Sequence, residues 1–199
     1  ASEQQAILPF LKNKLPNRKA IYEYLVFNRT DQGDYTFFEG IRKLPHGSMG
    51  ILKNKKLEIK KWYNLWESLK PPFKEPHEFY DAFKESIRLQ LRSDVPVGVC
   101  LSGGLDSSGI VSVLVKDFDK TDLNTFSAIY EEGEKEDERK FITLYNSTLK
   151  NMFFTFPTAK SLIEDLNSFI TCHSEPVATL GPYAQYKVME LARNHVKVT

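Results

Sequence analysis

The segment "VPVGVCLSGGLDSSGIVSVLV", from Val95 to Val115, constrains this chain more than any other. Two adjacent glycines and four small polar residues break an apolar run at its middle. "VPVGVCL" reads as a buried strand and "DSSGIVSVLVKDF" as a helix, so "SGGLDSS" is a strand-to-helix turn. In open parallel sheets, ligands sit beyond the carboxyl ends of the strands, where this turn falls.

The residues around it repeat the alternation. "EFYDAFKESIRLQLRS" sets Phe79, Phe83, Ile87 and Leu91 on one helical stripe. "LNTFSAIY" is a second strand, "EDERKFITLYNSTLK" a helix, "MFFTF" a third strand, and "TAKSLIEDLNSFITCH" and "PYAQYKVMELARNH" two further helices, before "VKVT" begins a strand. Strands separated by helices of this length indicate an α/β fold, a parallel sheet with flanking helices and right-handed crossovers. Upstream, "AIYEYLVFN" reads as a short helix, and "YTFFEGIRKLPHGSMGILKNKKLEIKKWYNL" alternates apolar and polar residues around turns such as "KNKK". The prolines of "SLKPPFKEPHEF" stop helices and favour extended backbone. The expected division is 1–68, β-rich and too small to stand alone, then a linker over 69–77, then 78–199.

The 199 residues, 41% of them hydrophobic, suffice for at least one core. A net charge of +1 excludes a nucleic-acid surface, so any anion is held by local geometry. Cys100 and Cys172 form no CxxC pattern, and a reducing compartment is expected. With no long apolar stretch, the chain reads as cytoplasmic, without membrane partners.

Within the loop, Gly103 and Gly104 are expected to take backbone conformations closed to other residues, leaving successive N–H groups aimed inward at an anion. The following helix, starting near 106–108, turns its positive end to the same place, and Ser102, Ser107 and Ser108 add hydroxyls. A phosphate or pyrophosphate fits these donors. Asp106 repels such a ligand unless a cation lies between them, which points to Mg²⁺; the alternative is that Asp106 is only an N-cap. Gly104 and Gly109 have the spacing of a Walker loop, but Ile110 follows where lysine is required. G-x-G-x-x-G and G-x-S-x-G are not matched.

"RSDVPVGVCLSGGLDSS" resembles the pyrophosphate loop of the N-type ATP pyrophosphatases, and in particular the synthetase domain of glutamine-hydrolysing asparagine synthetases. "AIYEYLVFNRTDQGDYTFFEGIRKLPHGS" is similar to the end of that family's glutaminase domain, "TFSAIYEEGEKEDERKF" to its second strand and acidic loop, and "SEPVATLGPYAQYKVMELARNHVKV" to the segment before its second conserved loop. The resemblance implies an adenine nucleotide alpha hydrolase-like, Rossmann-like domain preceded by a remnant of an N-terminal nucleophile glutaminase. It implies activation of aspartate by ATP as β-aspartyl-AMP, then amidation by glutamine-derived ammonia. Ser102, Gly103, Gly104, Leu105, Ser107 and Ser108 would hold the pyrophosphate, Asp106 the Mg²⁺, and the backbone of Cys100, Leu101 and Ala128 the adenine. Backbone contacts explain how Cys100 sits where the family more often has an aliphatic residue. A homodimer of the full-length protein is compatible with the resemblance.

Two departures accompany it. Ala1 stands where the family's amino-terminal cysteine nucleophile would be looked for, and the second glycine-acid loop would follow Thr199, so a fragment inactive alone is expected. "SEPVATLGPYAQYK" lacks the arginine of many aspartate-using members, which keeps a β-lactam-forming or sugar-carboxylate amidating enzyme, or a non-catalytic nucleotide-binding module, as alternatives. A tRNA-thiolating enzyme is disfavoured by the charge. The four histidines read as surface or structural, the run Glu131 to Lys140 as a solvated loop and first helical turn, with reach to the acceptor or the metal as its alternative, the aromatics of "FYDAF" and of Phe118 to Phe156 as core, and Trp62 and Trp66 as packing between the two halves.

Overall fold

A computed structural model describes residues 1–130 and 137–199. Of the acidic run Glu131 to Lys140, only 137–140 lie within the described residues. The chain forms two compact units: 1–72 with 167–178, and 73–166 with 179–199. The division runs through one helix, because 167–178 packs with the first unit.

In the first unit, helix α1 (Arg18–Phe27) starts where the Asn17 side chain accepts from the amides of Lys19 and Ala20, and it stops at Asn28 in the left-handed conformation (φ 52°). Strands β1 (Ser48–Lys53) and β2 (Lys56–Lys61) pair antiparallel around Asn54 and Lys55, both at positive φ, as a two-residue hairpin turn of the I′ kind needs. Within this unit Trp62 and Trp66 are exposed, with Trp62 tilted against its neighbour Tyr63.

The second unit is the expected α/β domain. Helix α2 (Pro76–Gln90) opens on a capping box in which Glu78 accepts from the Glu75 amide, with Pro76 in its first turn. Strands β3 (Gly98–Cys100), β4 (Asn124–Ala128) and β5 (Asn151–Thr155) form a parallel sheet in the order β3-β4-β5. Helix α3 (Leu105–Phe118) crosses from β3 to β4, a four-residue helix α4 (Arg139–Ile142) lies between β4 and β5, and α5 (Ala159–His173) and α6 (Gly181–Ala192) follow. "VKVT" contributes one parallel bridge, Val198 to Val97, and the Gly98 amide donates to the Val198 carbonyl at 2.8 Å. The chain thus returns to the side of β3 away from β4. That reversal of order is where open α/β sheets bind ligands, and the loop 102–108 leaves β3 there.

Alternation along the strands divides the core between the two faces of the sheet. Ile87 of α2 and Val111 and Leu114 of α3 pack with Leu101, Leu123 and Ile129 on one side; Phe126 packs with Val188, Ala192 and Val196 on the other. Phe126 is fully buried, which stabilises the fold by roughly 2–3 kcal/mol. His195 lies against the Phe153 ring at 3.9 Å and is structural. Phe79, Phe141 and Phe156 are exposed rather than core, although Phe79 stacks on the half-buried Phe83. No helix among the described residues is long and apolar enough to cross a membrane.

The helix expected over "EDERKFITLYNSTLK" is the single turn of α4 followed by a 3-10 turn at Thr143–Tyr145. Side-chain bonds compete with the helix here: Asp137 accepts from the Arg139 amide and pairs with its guanidinium, which also donates to the Tyr130 carbonyl. The Tyr145 hydroxyl bonds Ser112 at 2.8 Å and the Ser108 carbonyl at 2.9 Å, fastening this segment to the first turns of α3.

Gly98 is required by its neighbours, since a Cβ there would lie 2.6 Å from the Phe126 ring and 3.1 Å from the Asn124 carbonyl oxygen. Gly98→Ala is expected to lower unfolding stability by about 1–3 kcal/mol in urea titrations. Gly109→Ala, inside α3 with no neighbour closer than 3.9 Å, is expected to raise it by about 0.5–1 kcal/mol.

Candidate functional site

The loop takes its shape from one residue more than the rest. Gly103 has φ 92°, and a Cβ there would meet both the Cβ and the carbonyl oxygen of Glu138 at 2.8 Å. Any side chain is excluded twice, by backbone conformation and by contact. Gly104 differs from the expectation. At φ −67°, ψ 164° it is ordinary extended backbone open to other residues, and it is the N-cap of α3. The helix therefore begins at Leu105, and Asp106 is not a cap but a first-turn residue.

The serines are knitted together. Ser107 Oγ accepts from the Ser102 amide at 3.2 Å, lies 3.0 Å from Ser102 Oγ, and donates to the Gly104 carbonyl; Ser102 Oγ accepts from the Gly104 amide at 3.2 Å. The Gly104 amide, expected to face an anion, is thus engaged by a hydroxyl oxygen. The amides of Leu105, Asp106 and Ser107 begin a helix and have no partner within it. They point out of the positive end of a 14-residue helix. Leu105 contributes backbone only, its side chain being 89% exposed.

Two carboxylates stand at this loop without partners. Asp106 is exposed and makes no hydrogen bond or ion pair among the described residues, and the same holds for the Glu138 side chain, whose Oε2 lies 4.0 Å from where a Gly104 Cβ would be. Glu138 was hidden in the sequence: within "EEGEKEDERK" nothing local separates it from its neighbours, and only the packing of its backbone on Gly103 brings it to the site. The described end of that run is thus not the simple solvated turn expected; the Asp137 side chain is nearly buried beside Arg139.

Beside the loop opens a cleft of about 240 Å³, bounded by Cys100, Leu101 and Ser102, by Phe126, Ser127 and Ala128 at the end of β4, by Tyr130 and Glu138, and by Gly181, Ala184, Gln185 and Val188 of α6. Leu101 has its amide committed to the Phe126 carbonyl at 2.9 Å, and its carbonyl accepts from Ser127 Oγ at 2.6 Å. Backbone groups of alternate residues face alternate neighbours, so Ala128, two residues past Phe126, directs its N–H and C=O beyond the end of β3 into this cleft. Burial pushes the Cys100 thiol above its ordinary pKa. A second hollow of about 400 Å³, lined by Pro157, Thr158, Leu162 and Leu180, shares Tyr130, Gly181 and Ala184 with the first. Helix α6, the wall of both, is fixed by Asp165, which accepts from Lys187 at 2.9 Å and Tyr183 at 2.8 Å; those bonds hold its carboxyl below the usual carboxylate range.

The site thus combines a glycine turn, helix-end amides, free carboxylates and an adjoining cleft at the reversal point of a parallel sheet. The sequence profile of asparagine synthase matches residues 78–199. The chain belongs to the asparagine synthase family. A Methanocaldococcus jannaschii protein named putative asparagine synthetase [glutamine-hydrolyzing] 2 is 32% identical over 170 residues, covering 82% of this chain and 32% of its own length. Asparagine synthetase [glutamine-hydrolyzing] 1 of Bacillus subtilis is 28% identical over 204 residues, covering 100% and 31%. Gibberella zeae amidase chry2 is 30% identical over 122 residues, covering 52% and 18%. The chain spans about a third of the length of the first two relatives. In this asparagine synthase family chain, the loop, Asp106, Glu138 and the cleft all lie inside the matched residues.

Substitution at the two loop glycines separates their roles. Gly103→Ala must displace the 137–139 backbone and adopt a strained φ, a cost of about 1–3 kcal/mol, whereas Gly104→Ala is expected within about 0.5 kcal/mol of wild type. Chemical denaturation of both variants checks this.

Proposed function

We propose that this chain carries the ATP site of an AMP-forming carboxylate–amine ligase, with aspartate as acceptor and asparagine as product. In that reading, residues 1–68 are the end of a glutaminase-type domain that supplies ammonia from glutamine, 69–77 a linker, and 78–199 the first part of the synthetase domain. The observation that carries it is the pairing of the Gly103 turn with two uncommitted carboxylates, Asp106 and Glu138, in front of the first amides of α3.

An acceptor carboxylate oxygen attacks the α-phosphorus of ATP, the bond from that phosphorus to the α,β-bridging oxygen breaks, and pyrophosphate leaves. Ammonia then attacks the acyl carbon and displaces AMP, losing a proton. Negative charge grows on the departing pyrophosphate, and the chain's part is to hold and stabilise that charge. The amides of Leu105, Asp106 and Ser107 and the hydroxyls of Ser102, Ser107 and Ser108 are its donors. Hydrogen bonds to a charged group contribute about 1.5–3 kcal/mol each, more than the neutral bonds among the serines that they replace. Adenine enters the cleft, where the Ala128 backbone offers one donor and one acceptor, and Phe126 and Val188 exclude water. The acceptor approaches from the adjoining hollow at Tyr130 and Gly181.

Asp106 and Glu138 fit Mg²⁺. They supply two hard oxygen donors beside the phosphate position, which suits a cation that keeps phosphate oxygens and water in its shell. Bound there, Mg²⁺ neutralises charge between phosphate and carboxylate. Isothermal titration with ATP is the test. Asp106→Asn is expected to weaken Mg²⁺-dependent binding by roughly tenfold or more and to flatten its dependence on Mg²⁺. Equal binding by both proteins, independent of Mg²⁺, contradicts the reading.

A further inference from the structure

Among the described residues, Gln185 is the one side-chain amide that lines the cleft. It projects from the second turn of α6, and its Nε2 lies 3.9 Å from Cys100 Sγ, a weak acceptor. Its Oε1 has no hydrogen-bond partner among the described residues. The other polar side chains at the cleft differ in kind: Ser127 Oγ is spent on the Leu101 carbonyl, Ser102 Oγ accepts from the Gly104 amide, Tyr130 carries a single hydroxyl, and Glu138 is an acceptor only. Between them the walls are apolar, from Phe126, Ala128 and Val188. A flat ring seated here therefore meets a carboxamide whose donor and acceptor are side by side.

Resting on the ATP reading above, we infer that Gln185 determines base specificity, its Nε2 donating to adenine N7 and its Oε1 accepting from the 6-amino group. The Ala128 backbone takes the opposite edge, donating from its N–H to N1 and accepting the second 6-amino hydrogen at its C=O. The 6-amino group has two hydrogens, so both sets of bonds form at once. A carboxamide matches the N7 and 6-amino pattern of adenine; guanine presents two acceptors, N7 and O6, to the same edge and leaves Oε1 facing an oxygen. Cys100 gains a role from this arrangement: a thiol accepts so weakly that the amide leaves it without a large cost when a base arrives.

The test uses the 199-residue chain, Mg²⁺, and two nucleotides that differ at one atom, ATP and 7-deaza-ATP. Removing N7 removes the acceptor for Gln185 and leaves the Ala128 contacts intact. Wild type is expected to bind 7-deaza-ATP roughly tenfold more weakly than ATP, and Gln185→Leu to bind the two equally. Gln185 is exposed, so the variant keeps its fold, which circular dichroism verifies. Equal binding of both nucleotides by wild type overturns the assignment, as does a preference that persists in Gln185→Leu. Failure of wild type to bind ATP at all overturns the nucleotide site itself, and this assignment with it.

Discussion

A left-handed backbone turn at Gly103, pressed against the backbone of Glu138, is the contact on which the site is built. It reverses the chain within three residues of a buried strand, so the amides that open α3 face the carboxyl edge of the sheet. The same contact fixes where the Glu138 backbone lies, and so brings a second carboxylate to the loop. Strand pairing supplies the rigid support: Leu101 and Ser127 lock the ends of β3 and β4 together through the Leu101 carbonyl. Tyr145 secures the first turns of α3 from the other side. Conformational entropy is thus spent in folding, before any ligand arrives, which is the condition for electrostatic stabilisation of a leaving group.

The division of work between backbone and side chains follows from this. In the proposed reading, phosphate would be met mainly by backbone amides and serines, which no single side chain controls. Adenine would be met by the Ala128 backbone on one edge and, in our inference, by a side chain on the other. Helix α6 must therefore hold its angle closely, and the Asp165, Tyr183 and Lys187 cluster holds it.

Much of this was legible in the sequence where periodicity and turn chemistry are local. The apolar run to Leu101, the stripe of α2 and the "KNKK" hairpin each announce themselves within a dozen residues. What was illegible depends on long-range contact. Gly104 is no more than an ordinary N-cap, which only the φ angle reveals. "EDERKFITLYNSTLK" reads as one helix, yet α4 ends at Ile142 and a 3-10 turn follows. Glu138 is anonymous among the six acidic residues of its run until Gly103 is set against it, and 167–178 gives no local sign that it packs with the first unit. Trp62 and Trp66 show the converse, large aromatic residues whose exposure no pattern foretells.

The two cysteines allow the occupied cleft to be observed without any turnover. Cys100 lines it, whereas Cys172 is an exposed residue of α5 that is not among its lining residues. The decisive measurement is the rate of thiol alkylation at each cysteine, read by mass spectrometry with and without Mg²⁺ and ATP. Slowing at Cys100 with no change at Cys172 is the predicted result. Unchanged alkylation of Cys100 at ATP concentrations that saturate binding would show that the nucleotide does not occupy this cleft.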